Sequence, residues 1–119
     1  MTSSDTRAYW NTLTRLASRL RKEVNNLRSE AFAPPVGIGA IPGEQADIAG
    51  HEAEDRRVRT VLANEESILD EVEAALDRIE QGSFGRCTKC MRLIRRERLE
   101  AIPYARHCVT CAVIDEETR

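Results

Sequence analysis

All four cysteines of the 119-residue chain fall in one short stretch, "GRCTKCMRLIRRERLEAIPYARHCVTC", residues 85–111. They form two Cys-x-x-Cys pairs, Cys87/Cys90 and Cys108/Cys111, with seventeen residues between the pairs. Four thiolates complete a tetrahedral zinc shell, and each Cys-x-x-Cys turn presents two sulfurs to the same ion. Such a shell has no open coordination position, so the predicted zinc is structural rather than catalytic. In small domains its binding free energy, about 10 kcal/mol or more, is itself folding free energy. A thioredoxin-like redox pair would sit in a strand–helix alternation, which this chain lacks. Intracellular disulfides are disfavoured by the reducing pool, and an iron–sulfur cluster could use four cysteines but usually with other spacing. His107, beside Cys108, is a possible substitute ligand, but four sulfurs suffice and a partly exposed neighbour is the expectation. Gly85 suits a tight turn into the first pair.

Something must position this head, and the residues before it read as two long helices. In "SSDTRAYWNTLTRLASRLRKEVNNLRSEAF" the apolar residues Trp10, Leu13, Leu16, Leu20, Val24, Leu27 and Ala31 recur at threes and fours, the seam of a coiled-coil helix over about 5–31. Ser4 or Asp5 is the expected N-cap. Pro34, Pro35, Gly37, Gly39, Pro42 and Gly43 then forbid a helix and predict a loop over 32–46. A second helix is expected over about 47–80, with a seam of Val58, Val61/Leu62, Ile68/Leu69, Val72, Leu76 and Ile79 and a gap at Glu65. Gly82 ends the pattern as a left-handed cap residue would. Two such seams joined by a short loop imply an antiparallel hairpin, residues 1–81, followed by the finger and a short C-terminal helix, residues 82–119. The fold class is thus mainly α: a two-helix coiled-coil hairpin carrying a four-cysteine zinc finger. About 27 paired residues make a rod of roughly 40 Å. A rod that narrow buries little per residue, and ordering its chain nearly cancels the gain, so its open end needs an anchor.

Composition agrees. Charged residues make up 32% and aromatics 4%, which suits solvent-washed helices better than a wide core. The net charge of −2 excludes a general nucleic-acid coat. Its distribution is uneven, with seven acids against Arg78 over residues 65–80 and seven bases against Glu97 and Glu100 over residues 86–106. No apolar run approaches the ~18 residues of a membrane span, and "MTSSDTRAYW" has no signal-peptide core. A soluble cytoplasmic protein without membrane contact is expected.

The block Phe84-Gly85, Cys87-x-x-Cys90, Ile94, Arg98-Leu99-Glu100-Ala101, Pro103 and Cys108-x-x-Cys111 resembles the DksA/TraR-type C4 zinc finger proteins of bacteria. The resemblance implies binding to RNA polymerase, with the coiled coil entering the secondary channel, acidic residues of its tip approaching the active-centre region, and the zinc head at the rim. The family's tip motif centres on Asp-x-Ala at the start of the second helix. Counting back from the finger without a gap places Asp47-Ile48-Ala49 there, with Glu44 where a further acid often sits. Asp47 can equally serve as a helix N-cap, worth ~1 kcal/mol. The chain departs from the pattern in three places. Its tip loop is richer in Pro and Gly, Met91 replaces the glycine common after Cys90, and Asn64, Glu65, Glu66 and Glu71 stand where members responsive to the alarmone ppGpp carry bases. Acids there repel an anionic ligand, so ppGpp is not expected at that site.

Three functions remain in play. The first is a zinc-binding transcription regulator that binds RNA polymerase. The second is a nucleic-acid-binding finger using Arg92, Arg95, Arg96 and Arg98 as a basic contact face, without sequence-specific DNA readout. The third is a coiled-coil adaptor that makes no polymerase contact. No nucleophile–base pair can be assembled from the sequence, so no catalytic residues are assigned and an enzyme is not expected.

Overall fold

The computed structural model describes residues 2–31 and 45–117. Among the described residues four helices follow one another: α1 (Ser3–Ala31), α2 (Gln45–Gln81), α3 (Arg96–Ala101) and α4 (Val109–Glu117). The first two form the antiparallel coiled-coil hairpin and the last two belong to the finger. The molecule measures 64 × 32 × 20 Å. No helix among the described residues is long and apolar enough to cross a membrane.

Helix α1 begins two residues earlier than its apolar pattern indicates, because its cap lies upstream of Ser4 and Asp5. The Thr2 hydroxyl accepts from the Asp5 N–H at 3.1 Å, and the Asp5 carboxylate accepts from the Thr2 N–H at 3.3 Å. That reciprocal pair is a capping box with Asp5 at its third helical position. Helix α2 starts at Gln45, so residues 45 and 46, expected in the loop, are helical. Residues 32–44 of the expected loop, Glu44 among them, lie outside the described residues.

The seam keeps the spacing of threes and fours, rotated slightly from the one the large side chains suggest. On α1 the buried residues are Leu13, Ala17, Leu20, Val24 and Ala31, while Leu16 and Leu27 are half-buried. On α2 Val58, Leu62, Val72 and Ala75 are buried and Val61 stands exposed. Ala17 and Ala75 carry only a methyl group, which gives little periodic signal in the sequence. In the structure both lie in the fully buried cluster with Leu13, Leu20 and Val72. A second cluster, of Val24, Ala31, Val58 and Leu62, occupies the half away from the finger. The gap between them is Glu65, half-buried at a seam position. Burial raises its carboxyl above the ordinary value, the neighbouring Glu23 carboxylate raises it further, and Arg19 pulls the other way.

Register is visible in two ion pairs along one edge, Arg21–Glu73 and Arg28–Glu66, both at 3.3 Å. Seven residues forward on α1 meets seven residues back on α2, as antiparallel heptads require. These pairs are exposed and worth only about 0.2–1 kcal/mol each. They fix alignment more than stability.

At its C-terminus α2 stops on Gly82, whose φ is 78°. Ser83 N–H reaches the Arg78 carbonyl at 2.9 Å and Gly82 N–H the Ile79 carbonyl at 3.2 Å. This six-to-one and five-to-two pattern is a Schellman cap, and it turns the chain sharply into the finger.

Candidate metal centre

The finger contains two knuckles. In the first, Cys87 N–H bonds the Arg92 carbonyl at 2.8 Å and Met91 N–H bonds the Cys87 carbonyl at 3.0 Å, curling Cys87-x-x-Cys90 back on itself. Arg86 and Leu93 form an isolated antiparallel bridge that closes the loop. Gly85 enters this turn at φ 88° and Met91 leaves it at φ 64°. The second value explains why a glycine is usual after the second cysteine: the position lies in the left-handed region, which costs a side-chain-bearing residue roughly 1–2 kcal/mol. The second knuckle sits on the start of α4. Cys108 is its N-cap residue, and the Cys111 N–H is directed at the Cys108 sulfur.

The two knuckles bring the four sulfurs within 4.8 Å of one another, with Cys90 and Cys108 3.7 Å apart. A tetrahedron with Zn–S bonds of about 2.3 Å has an edge of about 3.8 Å. The cluster therefore has the size of a zinc–tetrathiolate shell, and its all-sulfur donor set is the one zinc favours. Backbone donors prepare the sulfurs for a cation. Burial pushes the Cys87 thiol up, but N–H groups of Cys90, Cys108 and Lys89 outweigh it and bring the thiol down to about 5. Cys108 is lowered by the Cys111 N–H. Cys111, crowded by the sulfurs of Cys108 and Cys87, is pushed up to about 12. A divalent ion offsets that mutual repulsion. The four cysteines are positioned to bind one metal ion, and their chemistry and spacing fit a structural zinc.

Around the sulfurs the finger is small but dense. Cys87, Ile94, Leu99 and Ala105 form its buried core, with Tyr9, Phe84 and Ile102 packed against it. His107 is not a ligand. Its ring faces Asp115 of α4 at 3.2 Å, and Asp115 also pairs with Lys89 of the first knuckle, so one carboxylate ties α4 to both knuckles.

Three contacts that the sequence did not suggest join this head to the hairpin. Arg78, the lone base of the acidic run, donates to the carbonyls of Tyr104 and Ala105 at 3.5 Å, and burial pulls its pKa down. Arg96 pairs with Asp5 at 2.9 Å, fastening α3 to the first turn of α1. Tyr9 and Phe84 stack at a tilt with centroids 5.3 Å apart. A base isolated among acids was the available clue to Arg78.

The four arginines of the expected basic face have different surroundings. Arg96 is engaged by Asp5, with Glu100 at 3.9 Å. Arg98 is half-buried and donates to the His107 carbonyl at 2.8 Å, inside the finger. Arg92 and Arg95 are exposed. At the other end of the molecule, Asp47 and Ala49 fall in the first two turns of α2, which places Asp47 within the helix rather than at its N-cap.

Residues 82–117 match the family model of the prokaryotic dksA/traR C4-type zinc finger, so the head is a finger of that type and the resemblance drawn from the cysteine block is confirmed. An uncharacterized protein of Aquifex aeolicus (strain VF5) is 44% identical over 52 residues, covering 43% of this chain and 36% of that protein. General stress protein 16O of Bacillus subtilis (strain 168) is 29% identical over 89 residues, covering 75% of this chain and 53% of that protein. The chain thus matches about half, or less, of the length of these relatives. The solved structure of transcription factor DksA2 from Pseudomonas aeruginosa shares the fold, with a TM-score of 0.73 and 24% identity over 99% of this chain and 88% of that one.

Proposed function

We propose that this chain, a helical hairpin closed by a DksA/TraR-type finger, is a non-enzymatic transcription regulator that binds RNA polymerase and carries its hairpin tip into the secondary channel. The observation that supports this reading most is the joint placement of finger and hairpin. Zinc, Arg78 and the Arg96–Asp5 pair hold the open end, so the start of α2 is presented at the far end of a stiff rod. In this role Asp47 and Ala49, with Glu44 before them, form the acting tip. Asp47 supplies a negative charge near the polymerase's active-centre region, and the head contributes affinity and orientation.

The test separates docking from action. Asp47→Asn keeps the helix and the finger, so it is expected to bind core polymerase within about twofold of the parent. It should lose most of the parent's effect on open-complex lifetime at a responsive promoter. A variant that binds and regulates like the parent contradicts the assignment of the tip.

A further inference from the structure

Exposed apolar side chains are concentrated on the head. Of the six large hydrophobic residues standing exposed among the described residues, Val61 alone lies on the hairpin; Met91, Leu93, Val109, Val113 and Ile114 belong to the finger. Leu93 is 65% exposed, Val109 54% and Ile114 51%, and these three line one groove of about 710 Å³ between the two knuckles. Exposed apolar side chains gathered in one groove beside charged groups make a candidate interaction site. Arg92 and Arg95 stand at this rim, both exposed and in no ion pair among the described residues, whereas Arg96 and Arg98 are engaged within the molecule.

We propose that this groove, floored by Leu93, Val109 and Ile114 and rimmed by Arg92 and Arg95, docks an acidic amphipathic helical segment of a partner protein. The aliphatic floor calls for apolar anchors, since covering it with a polar ligand leaves its burial unused. Two exposed guanidinium groups at its edge call for carboxylates, which Arg binds in a planar, bidentate fashion. Nucleic acid satisfies the second demand and not the first: no aromatic ring lines the groove to stack a base, and phosphates gain nothing from leucine and valine. The acidic stripe of a second copy's α2 is also a poor occupant, because that helix turns its apolar face into its own hairpin. A helix laid in a groove, with anchors at threes and fours, meets both demands at once. Since Cys90, Cys108 and Cys111 line the same groove, an occupant also lies against the metal site.

The test uses the full, zinc-loaded chain and two synthetic peptides. One is an amphipathic helix with leucine anchors and Asp/Glu elsewhere; its twin replaces the acids with Lys. Fluorescence anisotropy should show saturable binding of the acidic peptide, roughly tenfold or more tighter than the basic twin. Joint Arg92→Glu and Arg95→Glu substitution should reverse that preference, Leu93→Ser should weaken binding of the acidic peptide, and the bound peptide should slow zinc transfer to a chelator. All three positions are exposed, and zinc content establishes that each variant keeps its finger. Equal binding of the two peptides overturns the proposal, as does binding that ignores these substitutions. Random duplex DNA displacing the peptide from the groove, or a dimer that Leu93→Ser dissolves, would assign the groove to another occupant and overturn it equally. The assay contains no polymerase, so its failure is distinct from failure of the tip reading.

Discussion

At the head, Cys87 and Leu99 are fully buried within a segment of some thirty residues, surrounded by backbone hydrogen bonds, two knuckles and three separate links to the hairpin. Among the described residues, the half of the hairpin away from it buries Val24, Ala31, Val58 and Leu62, with Leu27 and Leu69 packed against them. Both regions are short of apolar mass, but they meet the shortage differently. The head is ordered by a metal and by directional bonds, which are strong and depend on one another. The far half is ordered by a narrow seam whose contacts are nearly additive. Order is therefore built in from the zinc outward along the hairpin.

The largest effect follows from attacking the head. Cys87→Ser or a strong chelator should abolish zinc binding and unfold residues 82–117, because metal binding of about 10–16 kcal/mol supports such fingers. Metal content and thermal unfolding by circular dichroism check it. The loss should be steeper at lower pH, since each thiolate then competes with a proton. If the zinc-free chain melts like the zinc-bound one, the contrast between the two regions disappears.

The next effect compares the halves of the seam directly. Leu13→Ala, at a fully buried position beside the head, should cost about 3–4 kcal/mol, and Leu27→Ala, half-buried in the far half, about 1–2 kcal/mol. Denaturant midpoints measure both, and equal costs would mean that the hairpin is one uniform cooperative unit.

Glu65→Leu should sharpen the contrast from the other side by joining the two clusters across the seam. A gain of roughly 1 kcal/mol is expected from relieved repulsion and added burial. Glu65 also carries a pH signature. Its folded carboxyl is raised, so the folded state holds this proton more tightly than the unfolded state does. That contribution is present at acid pH and is lost as pH rises through the raised value. Stability profiles of parent and variant should therefore converge toward acid pH and separate toward neutrality. Parallel profiles would contradict the raised carboxyl. Asp5, held below its ordinary value by the Thr2 N–H and assisted by Arg96, acts in the opposite sense, its contribution being lost as pH falls through the lowered value.

The smallest effect is Met91→Gly. Removing a left-handed side-chain residue relieves about 1–2 kcal/mol, and the added freedom of glycine in the unfolded chain returns up to ~1 kcal/mol. A net gain of a few tenths to 1 kcal/mol is expected in zinc-bound thermal unfolding. A loss would mean that the Met91 side chain contributes packing that its exposure does not suggest.

Much of this architecture is legible in the chain. Paired Cys-x-x-Cys and the spacing of Leu13, Leu20, Val24 and Val72 follow local rules with a fixed period, and the glycine stop at Gly82 depends only on its own backbone. The capping box could also have been found, since Thr2-Ser3-Ser4-Asp5 has the required spacing. Ala17 and Ala75 escaped because their burial depends on the approach of the facing helix rather than on their own size. Arg78, Arg96 and Asp115 escaped for a related reason: each acts on residues between eight and ninety-one positions away, and only the closed finger brings those groups together. The groove of Leu93, Val109 and Ile114 likewise exists only after the two knuckles have met.

The most direct test of the central claim is a photo-crosslinker placed beside Asp47 in the zinc-loaded chain and activated with bacterial core RNA polymerase. The account predicts crosslinks inside the secondary channel, lost together with binding when Cys87→Ser removes the zinc. Stable binding with crosslinks confined to the outer surface of the polymerase, or no binding at micromolar concentrations, would contradict it.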